Sequence, residues 1–377
     1  MSQIELSGQK LDLQRYPSTE DASLQAWEAA DEYLLKKLAE LEADTPTQAG
    51  PVVILNDSFG ALTCALHARS PVMVSDSYLA QEATRRNLAA NRLADATITL
   101  QDVLAPLPEN PSLVLLKIPK SLALLEQQLL LLRQVLPPHC RLLAGAKTRD
   151  IHNSTLALFE KILGPTRTTL AWKKARLIQC EITKPGEVTD PYPTCWPLDG
   201  SGELICNHAN VFSRGSLDIG ARFFMDYLPE KLQGTIADLG CGNGVLGLKV
   251  LANNPDARVL FVDESHMAIA SSRQNVAHNR PGDLARCDFL LGNALEQQPD
   301  DSLQAVICNP PFHQQQTITD DLAMQMFADA HRCLVKGGEL WIIGNRHLGY
   351  HVKLPKLFNQ VDPIASNTKF VILRATK

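Results

Sequence analysis

The sequence has no uninterrupted apolar run of the roughly 20 residues that a membrane-spanning helix needs. Its longest apolar-rich stretch, Leu122 to Leu136, is broken by Glu126, Gln127, Gln128, Arg133 and Gln134. The N-terminus lacks a charged start followed by an apolar core, so no signal peptide is expected. No CxxC pair occurs among the nine cysteines, Cys64, Cys140, Cys180, Cys195, Cys206, Cys241, Cys287, Cys308 and Cys333. Odd in number and scattered, they favour reduced, mostly buried thiols over a disulfide framework or a zinc site. An excess of positive charge is missing too. The net charge of −5 argues against indiscriminate coating of nucleic acid, yet leaves room for a local basic face. A cytoplasmic protein with no membrane and no metal partner is the expectation.

What is present is an ordinary globular composition, 45% hydrophobic and 20% charged over 377 residues, a length that suits two domains better than one. Three features recur in order. A strand, turn and helix start run through Val52–Leu55 and Asn56-Asp57-Ser58-Phe59-Gly60, then again through Ile236–Leu239 and Gly240-Cys241-Gly242-Asn243-Gly244. An apolar strand ends on Asp76, and another on Asp263; in the helical stretches that follow, Asn87 and Asn91 correspond to Asn275 and Asn279. A strand runs into proline at Lys117-Ile118-Pro119-Lys120, and again at Asn309-Pro310-Pro311-Phe312. The offset is 184 positions from Leu55 to Leu239, 187 from Asp76 to Asp263 and 192 from Pro119 to Pro311, a drift that small loop insertions explain. Repeats on this scale predict an α/β fold of two tandem Rossmann-like domains, each a parallel sheet with helices on both faces. The polar, proline-rich stretch from Lys184 to Pro193 marks the boundary. It divides the chain into a first domain over 1–185, a linker over 186–200 and a second domain over 201–377, with a helix expected over Ser216–Tyr227.

The segment Asp238-Leu239-Gly240-Cys241-Gly242-Asn243-Gly244 follows an apolar strand and opens a helix from Val245. Glycines at alternate positions let the backbone turn sharply and approach a ligand with no side chain between. A dehydrogenase would prefer G-x-G-x-x-G; Gly247 completes a G-x-x-G with Gly244 and keeps that alternative open. Asp238, directly before the turn, suits a cationic ligand better than a pyrophosphate. S-adenosylmethionine, with an ammonium and a sulfonium, is therefore the expected cofactor. Asp263 at the tip of the second strand is placed to accept both ribose hydroxyls, although alone it reads as a helix cap. Asn293, after the third strand, is a candidate reader of the adenine edge. Asp218 is a candidate for the methionine end, with a first-turn helix acid as the equal alternative.

The fourth strand, Gln304–Cys308, ends in Asn309-Pro310-Pro311-Phe312. In doubly wound sheets ligands sit beyond the C-terminal strand ends, so this loop faces the same crevice as Gly240 and Asp263. An exocyclic base amine is a poor nucleophile because its lone pair is delocalised into the ring. The Asn309 side-chain oxygen and the Pro310 carbonyl can accept its two N–H bonds and favour a pyramidal nitrogen. The prolines stiffen the loop, and Phe312 offers a face for an extruded base. Cys308 reads as a buried strand end, not a nucleophile.

At these residues the chain resembles the ribosomal RNA guanine-N2 methyltransferases, their large-subunit branch more closely than their small-subunit one. The resemblance spans essentially the whole chain, including Leu24-Gln25-Ala26-Trp27-Glu28, Ala171-Trp172-Lys173-Lys174-Ala175-Arg176 and Asn207-His208-Ala209-Asn210-Val211-Phe212-Ser213-Arg214. It implies methylation of the N2 amine of a guanine in large-subunit (23S) ribosomal RNA, which the short motifs do not specify. It also implies two methyltransferase-like domains, the first degenerate and without cofactor. The residues agree: Asn56-Asp57-Ser58-Phe59-Gly60 replaces the glycine turn and Lys117-Ile118-Pro119-Lys120 the catalytic loop. Basic residues gather there instead. Lys117, Lys120, Lys147, Arg149, Lys173, Lys174 and Arg176, with Trp172, are candidates for contacts to RNA, against the alternative of solvated surface charge. Two rivals stand beside this reading. A protein glutamine N5-methyltransferase solves the same amide problem, usually with Tyr where Phe312 stands. A non-catalytic RNA-binding assembly protein would not need the intact second motif set.

Overall fold

The structure, a computed structural model, describes residues 2–19, 21, 23–93, 97–184, 188–311 and 316–377. It divides into two compact units, Met1–Tyr192 and Pro193–Lys377. The first contains β1 (Ser2–Leu6), β2 (Gln9–Leu13), α1 (Ala29–Asp44), β3 (Val52–Leu55), α2 (Ala61–Ala65), β4 (Val72–Ser75), α3 (Tyr78–Ala90) and β5 (Thr99–Asp102). It continues with β6 (Leu113–Lys117), α4 (Leu122–Val135), β7 (Arg141–Lys147), α5 (Asn153–Ile162), β8 (Thr166–Thr168) and β9 (Ala175–Cys180). The second contains β10 (Thr194–Leu198), β11 (Glu203–Asn207), α6 (Ile219–Met225), β12 (Gly234–Leu239), α7 (Val245–Asn253), β13 (Ala257–Asp263) and α8 (His266–Asn279). Then follow β14 (Cys287–Leu291), β15 (Leu303–Cys308), α9 (Gln316–Cys333), β16 (Leu334–Asn345), α10 (Tyr350–Lys353), β17 (Gln360–Ser366) and β18 (Phe370–Thr376).

Each unit is built on a seven-stranded sheet, ordered β5-β4-β3-β6-β7-β9-β8 in the first and β14-β13-β12-β15-β16-β18-β17 in the second. Both have the same order, with the switch point between the first and fourth core strands. The sheets are mixed rather than purely parallel: β9 and β18 run antiparallel to β7 and β16. Strand residues in the second unit partition with the period of two expected of a sheet covered on both sides. Ile236, Phe261, Ile307 and Ile343 enter one core and Ala237, Leu260, Val306 and Ile342 the other. Continuous burial explains why these strands read as unbroken apolar runs.

The duplication extends to side-chain detail. Asn87 on α3 donates through Nδ2 to Phe59 O and Gln14 O and accepts from Gln14 N; Asn275 on α8 donates to Asn243 O and Cys206 O and accepts from Cys206 N. One helical turn on, Asn91 brackets the backbone of Asp12 and Asn279 that of Leu204. In both units an asparagine pair therefore ties a helix to a small antiparallel hairpin, β1–β2 or β10–β11.

Three expectations are corrected here. The stretch read as a linker, 186–200, contains β10, which pairs with β11 across an Asp199-Gly200-Ser201-Gly202 turn. And Cys195 and Cys206 are not thiols. They face each other on that hairpin with Cα atoms 4.0 Å apart and form a disulfide. A sequence gap of eleven hid the pairing, because only the hairpin brings the two opposite one another. The expected helix over Ser216–Tyr227 shortens to Ile219–Met225. Among the described residues no helix is long and apolar enough to cross a membrane.

Candidate active site at the edge of the second sheet

The C-terminal ends of β12, β13, β14 and β15 lie side by side, so the segments that follow them share one sheet edge. After β12 the loop turns on three glycines with positive φ, Gly240 (72°), Gly242 (54°) and Gly244 (80°). They have different reasons to be glycine. A Cβ on Gly244 would stand 3.1 Å from Ser272 Cα, so this residue lets α7 and α8 pack. A Cβ on Gly242 would meet no atom within 4 Å: its left-handed backbone faces open space, where a ligand can approach. Gly247, which left a dehydrogenase reading open, is a packing residue: a Cβ there would lie 2.1 Å from Phe261 Cε1.

Asp263, half-buried at the tip of β13, accepts from Gly242 N at 2.9 Å and from Ser265 N at 3.0 Å. Its carboxylate thus ties the glycine loop to the start of α8. Asp238 sits differently. It is 2% exposed and accepts from Gly247 N at 2.8 Å, behind the loop. Burial pushes its carboxyl up to about 8, against the Gly247 N–H and with a contribution from Asp263. The supposition that Asp238 offers a negative charge to a cationic ligand meets a buried group biased toward its neutral form. Its visible work is to hold the first turn of α7 on β12. Asn293 is buried after β14 and donates to Glu296 Oε2 at 3.1 Å. Asp218 caps α6, accepting from Ala221 N at 2.8 Å.

Beyond β15, Asn309 presents an Oδ1 that is buried and has no hydrogen-bond partner among the described residues. A buried acceptor without a donor costs about 1–3 kcal/mol, which a substrate N–H can recover. Pro310 is buried beside it. Phe312 lies outside the described residues. Burial, with Asp238, holds the Cys308 thiol well above its ordinary value, so it is no nucleophile. Glycine backbone open on one side, a carboxylate beside it and an amide behind the next strand form a donor and acceptor set that fits S-adenosylmethionine. Among the described residues no group of His, Cys, Asp or Glu is placed to hold a metal ion.

Sequence reasoning missed the support of this loop. Asn243 Nδ2 donates to Asn207 Oδ1 at 3.0 Å, Ser272 Oγ donates to Gly242 O at 2.9 Å, and Asn275 holds Asn243 O at 2.8 Å. The signal was the Asn-x-x-x-Asn spacing common to both halves.

Comparison with known proteins decides the family. The model of the RLMG N-terminal domain matches residues 1–184, and that of the Methyltransferase small domain matches residues 203–374. The chain is 56% identical to ribosomal RNA large subunit methyltransferase G of Klebsiella pneumoniae, over 100% of this chain and 99% of that protein. It is 59% identical to the protein of the same name from Aeromonas salmonicida, over 98% of this chain and 97% of that one. The chain belongs to the ribosomal RNA large subunit methyltransferase G family. In fold it is similar to the T. thermophilus 16S rRNA N2 G1207 methyltransferase (RsmC), solved in complex with AdoMet and guanosine. The TM-score is 0.76 at 18% identity, covering 100% of this chain and 97% of that one.

In this family member the first unit's equivalent site is filled. Sheet register sets Leu55 beside Leu116 as it sets Leu239 beside Cys308, so Lys117 occupies the place of Asn309. Lys117 is not a surface cation available to RNA, as its sequence context suggested. It is buried, 2.7 Å from Asp31 and 2.9 Å from Glu28. Burial opposes its charge, but Asp31 and Glu28 outweigh burial and hold it above its ordinary value. Lys117 and Lys147 in turn pull Glu28 down to about 2 against its own burial. Asp57 takes the place of Cys241 and ties the turn shut, accepting from Gly60 N, Thr63 N and Thr63 Oγ1.

The remaining basic candidates do converge. Lys147 and Arg149 follow β7, and Thr148 N donates to Lys174 O, which brings Lys173, Lys174 and Arg176 to the same end. Several are paired: Lys147 with Glu28 (3.2 Å), Lys173 with Glu32 (2.7 Å) and Arg149 with Asp150 (3.7 Å). Trp172 is half-buried, flanked by the Lys36 and Lys173 ammonium groups at 5.0 and 4.7 Å.

Proposed function

We propose that this chain methylates the exocyclic N2 amine of a guanine in large-subunit ribosomal RNA, with the chemistry in its second unit. The observation that carries this reading is the buried Asn309 Oδ1 at the end of β15, next to the end of β12, with no hydrogen-bond partner among the described residues. Asn309 Oδ1 and the Pro310 carbonyl are two acceptors on adjacent residues. Set against the two N–H bonds of the amine, they draw the nitrogen out of conjugation and leave its lone pair free to attack. Pro310 and Pro311 restrict the backbone, so alignment costs little entropy at the moment of reaction. Phe312 supplies the stacking face for the extruded base.

When bound, S-adenosylmethionine supplies the electrophilic methyl group. Gly240, Gly242 and Gly244 bare the backbone toward it, Asp263 accepts from its ribose hydroxyls, Asn293 meets its adenine edge and Asp218 its methionine end. Asp238 keeps the loop in place from behind. No side chain need act as a strong base, because the nitrogen proton is lost readily to water once the new bond has formed. The cluster of Lys147, Arg149, Lys173, Lys174 and Arg176 is the phosphate-contacting surface of the first unit. The names of the relatives support the large-subunit RNA, and the guanosine bound to the similar T. thermophilus 16S rRNA N2 G1207 methyltransferase supports the guanine amine.

The test is single-turnover transfer to large-subunit RNA by Asn309→Ala at saturating cofactor. We expect a rate loss of about 100-fold or more, with cofactor affinity within about twofold of wild type. A near-normal rate would remove Asn309 from the mechanism.

A further inference from the structure

Charge is distributed unevenly along the chain. From Leu340 to Lys377 there are six basic residues, Arg346, Lys353, Lys356, Lys369, Arg374 and Lys377, against one acid, Asp362. The rest of the chain therefore holds 30 Lys and Arg against 40 Asp and Glu, from totals of 36 and 41. Arg374 is engaged by Asp362 at 3.0 Å and Lys377 by Asp301 at 2.6 Å. Arg346, Lys356 and Lys369 are exposed, and among the described residues none of the three has a carboxylate partner.

Topology places these cations. β16 runs parallel to β15, so the chain after Asn345 emerges at the sheet edge where Asn309 stands. β18 runs antiparallel to β16 and begins at that same edge, with Asn345 facing Phe370. Arg346 N donates to Lys369 O at 3.0 Å and Arg346 Nη1 to Asn367 O at 3.2 Å, which joins the two loops. Lys356 lies elsewhere: β17 begins four residues after it at Gln360, which faces Thr376 at the opposite edge of the sheet. The first unit's basic cluster differs in this respect: Lys147 and Lys173 lie against Glu28 and Glu32.

We propose that this edge of the second unit, with Arg346 and Lys369 as its cations, is a phosphate-binding surface that grips the RNA backbone beside the target nucleotide. The proposal rests on the methyltransferase reading above. A base that reaches Asn309 must leave its stack, and it brings its flanking phosphates to the sheet edge with it. Unpaired cations at that edge neutralise them and release counterions. A protein of negative net charge thus keeps a local positive face where its substrate chain must bend closest.

The whole chain with Arg346→Gln and Lys369→Gln tests this against a large-subunit RNA fragment over a salt series. Affinity should fall about tenfold or more at moderate salt, and the log–log salt slope should flatten by about 1.5, at 0.7–0.9 per lost phosphate contact. Methyl transfer should lose KM for RNA and keep its rate at saturating RNA, while cofactor affinity and Tm stay put. The charge-preserving pair Arg346→Lys and Lys369→Arg should restore affinity. Wild-type affinity and slope in the glutamine variant, with methyl transfer intact, would overturn the surface alone. Loss of RNA affinity in that variant, with a wild-type chain that transfers no methyl to the RNA, would overturn the methyltransferase reading and leave the surface standing.

Discussion

At the scale of single residues, two aspartates 25 positions apart divide what the sequence presents as one acidic feature. Asp263 accepts from Gly242 N–H in the glycine loop and Asp238 from Gly247 N–H behind it, so under the proposed function the first meets the cofactor and the second only holds the helix. Asp263→Ala should weaken S-adenosylmethionine binding by roughly 1.5–3 kcal/mol, the worth of a hydrogen bond to a charged group. Calorimetry giving unchanged affinity in a folded variant would take Asp263 out of the site. Asp238→Asn should act on stability instead. Burial raises the folded-state carboxyl to about 8, above its unfolded value. The folded chain therefore holds a proton that the unfolded chain has released. The favourable contribution is complete at acid pH and is lost as pH rises toward about 8. The amide introduced by this substitution stays neutral and can still accept from Gly247, so the variant should gain stability relative to wild type as pH rises from about 4 to about 8, between the unfolded and folded values. Parallel Tm-against-pH curves for the two proteins would show that Asp238 does not titrate in this window.

At the scale of elements, the same asparagine clamp supports two loops with different fates. Asn275→Ala and Asn87→Ala each strip the hairpin backbone and a turn carbonyl of buried partners. Each should cost roughly 2 kcal/mol or more in unfolding free energy. Only Asn275→Ala should also weaken cofactor binding, because Asn243 O belongs to the glycine loop while Phe59 O belongs to a closed one. Equal effects of the two on cofactor affinity would contradict the assignment of the site to the second unit. These clamps also show what the sequence could and could not convey. The core strands were legible because burial on both faces writes them as continuous apolar runs, and Val52–Leu55 emerges with the bounds read from its pattern. The hairpins were not, since β1 and β10 are short and half-exposed and carry no such run. Ser7-Gly8, with φ of 50° and 75°, and Asp199-Gly200 were their turn signals. Lys117 misled for a related reason: a lysine after an apolar strand resembles a surface cation until Asp31 and Glu28 arrive from α1 and the residue before it. Conversely Asn309, identified from four letters, lies where the strand order requires it.

At the scale of the whole molecule, duplication has let the first copy fill its own site, and the proposed function leaves the chemistry to the second. If the first unit contributes RNA contacts through the end of β7, replacing Lys173, Lys174 and Arg176 together should weaken RNA binding. The salt slope should flatten by about 1.5, the worth of two phosphate contacts, rather than by about 2.5 for three, since Lys173 already spends its charge on Glu32. An unchanged slope would show that the cluster is solvated surface. The central claim is that this chain, through Asn309, places a methyl group on a guanine N2 in large-subunit RNA. The direct measurement is nucleoside analysis of large-subunit RNA, from cells lacking the protein, after incubation with labelled S-adenosylmethionine and either wild-type chain or Asn309→Ala. The account predicts label in N2-methylguanosine with the wild type and almost none with the variant, at equal cofactor binding. Label on another nucleoside or on a protein glutamine, or full labelling by Asn309→Ala, would contradict it.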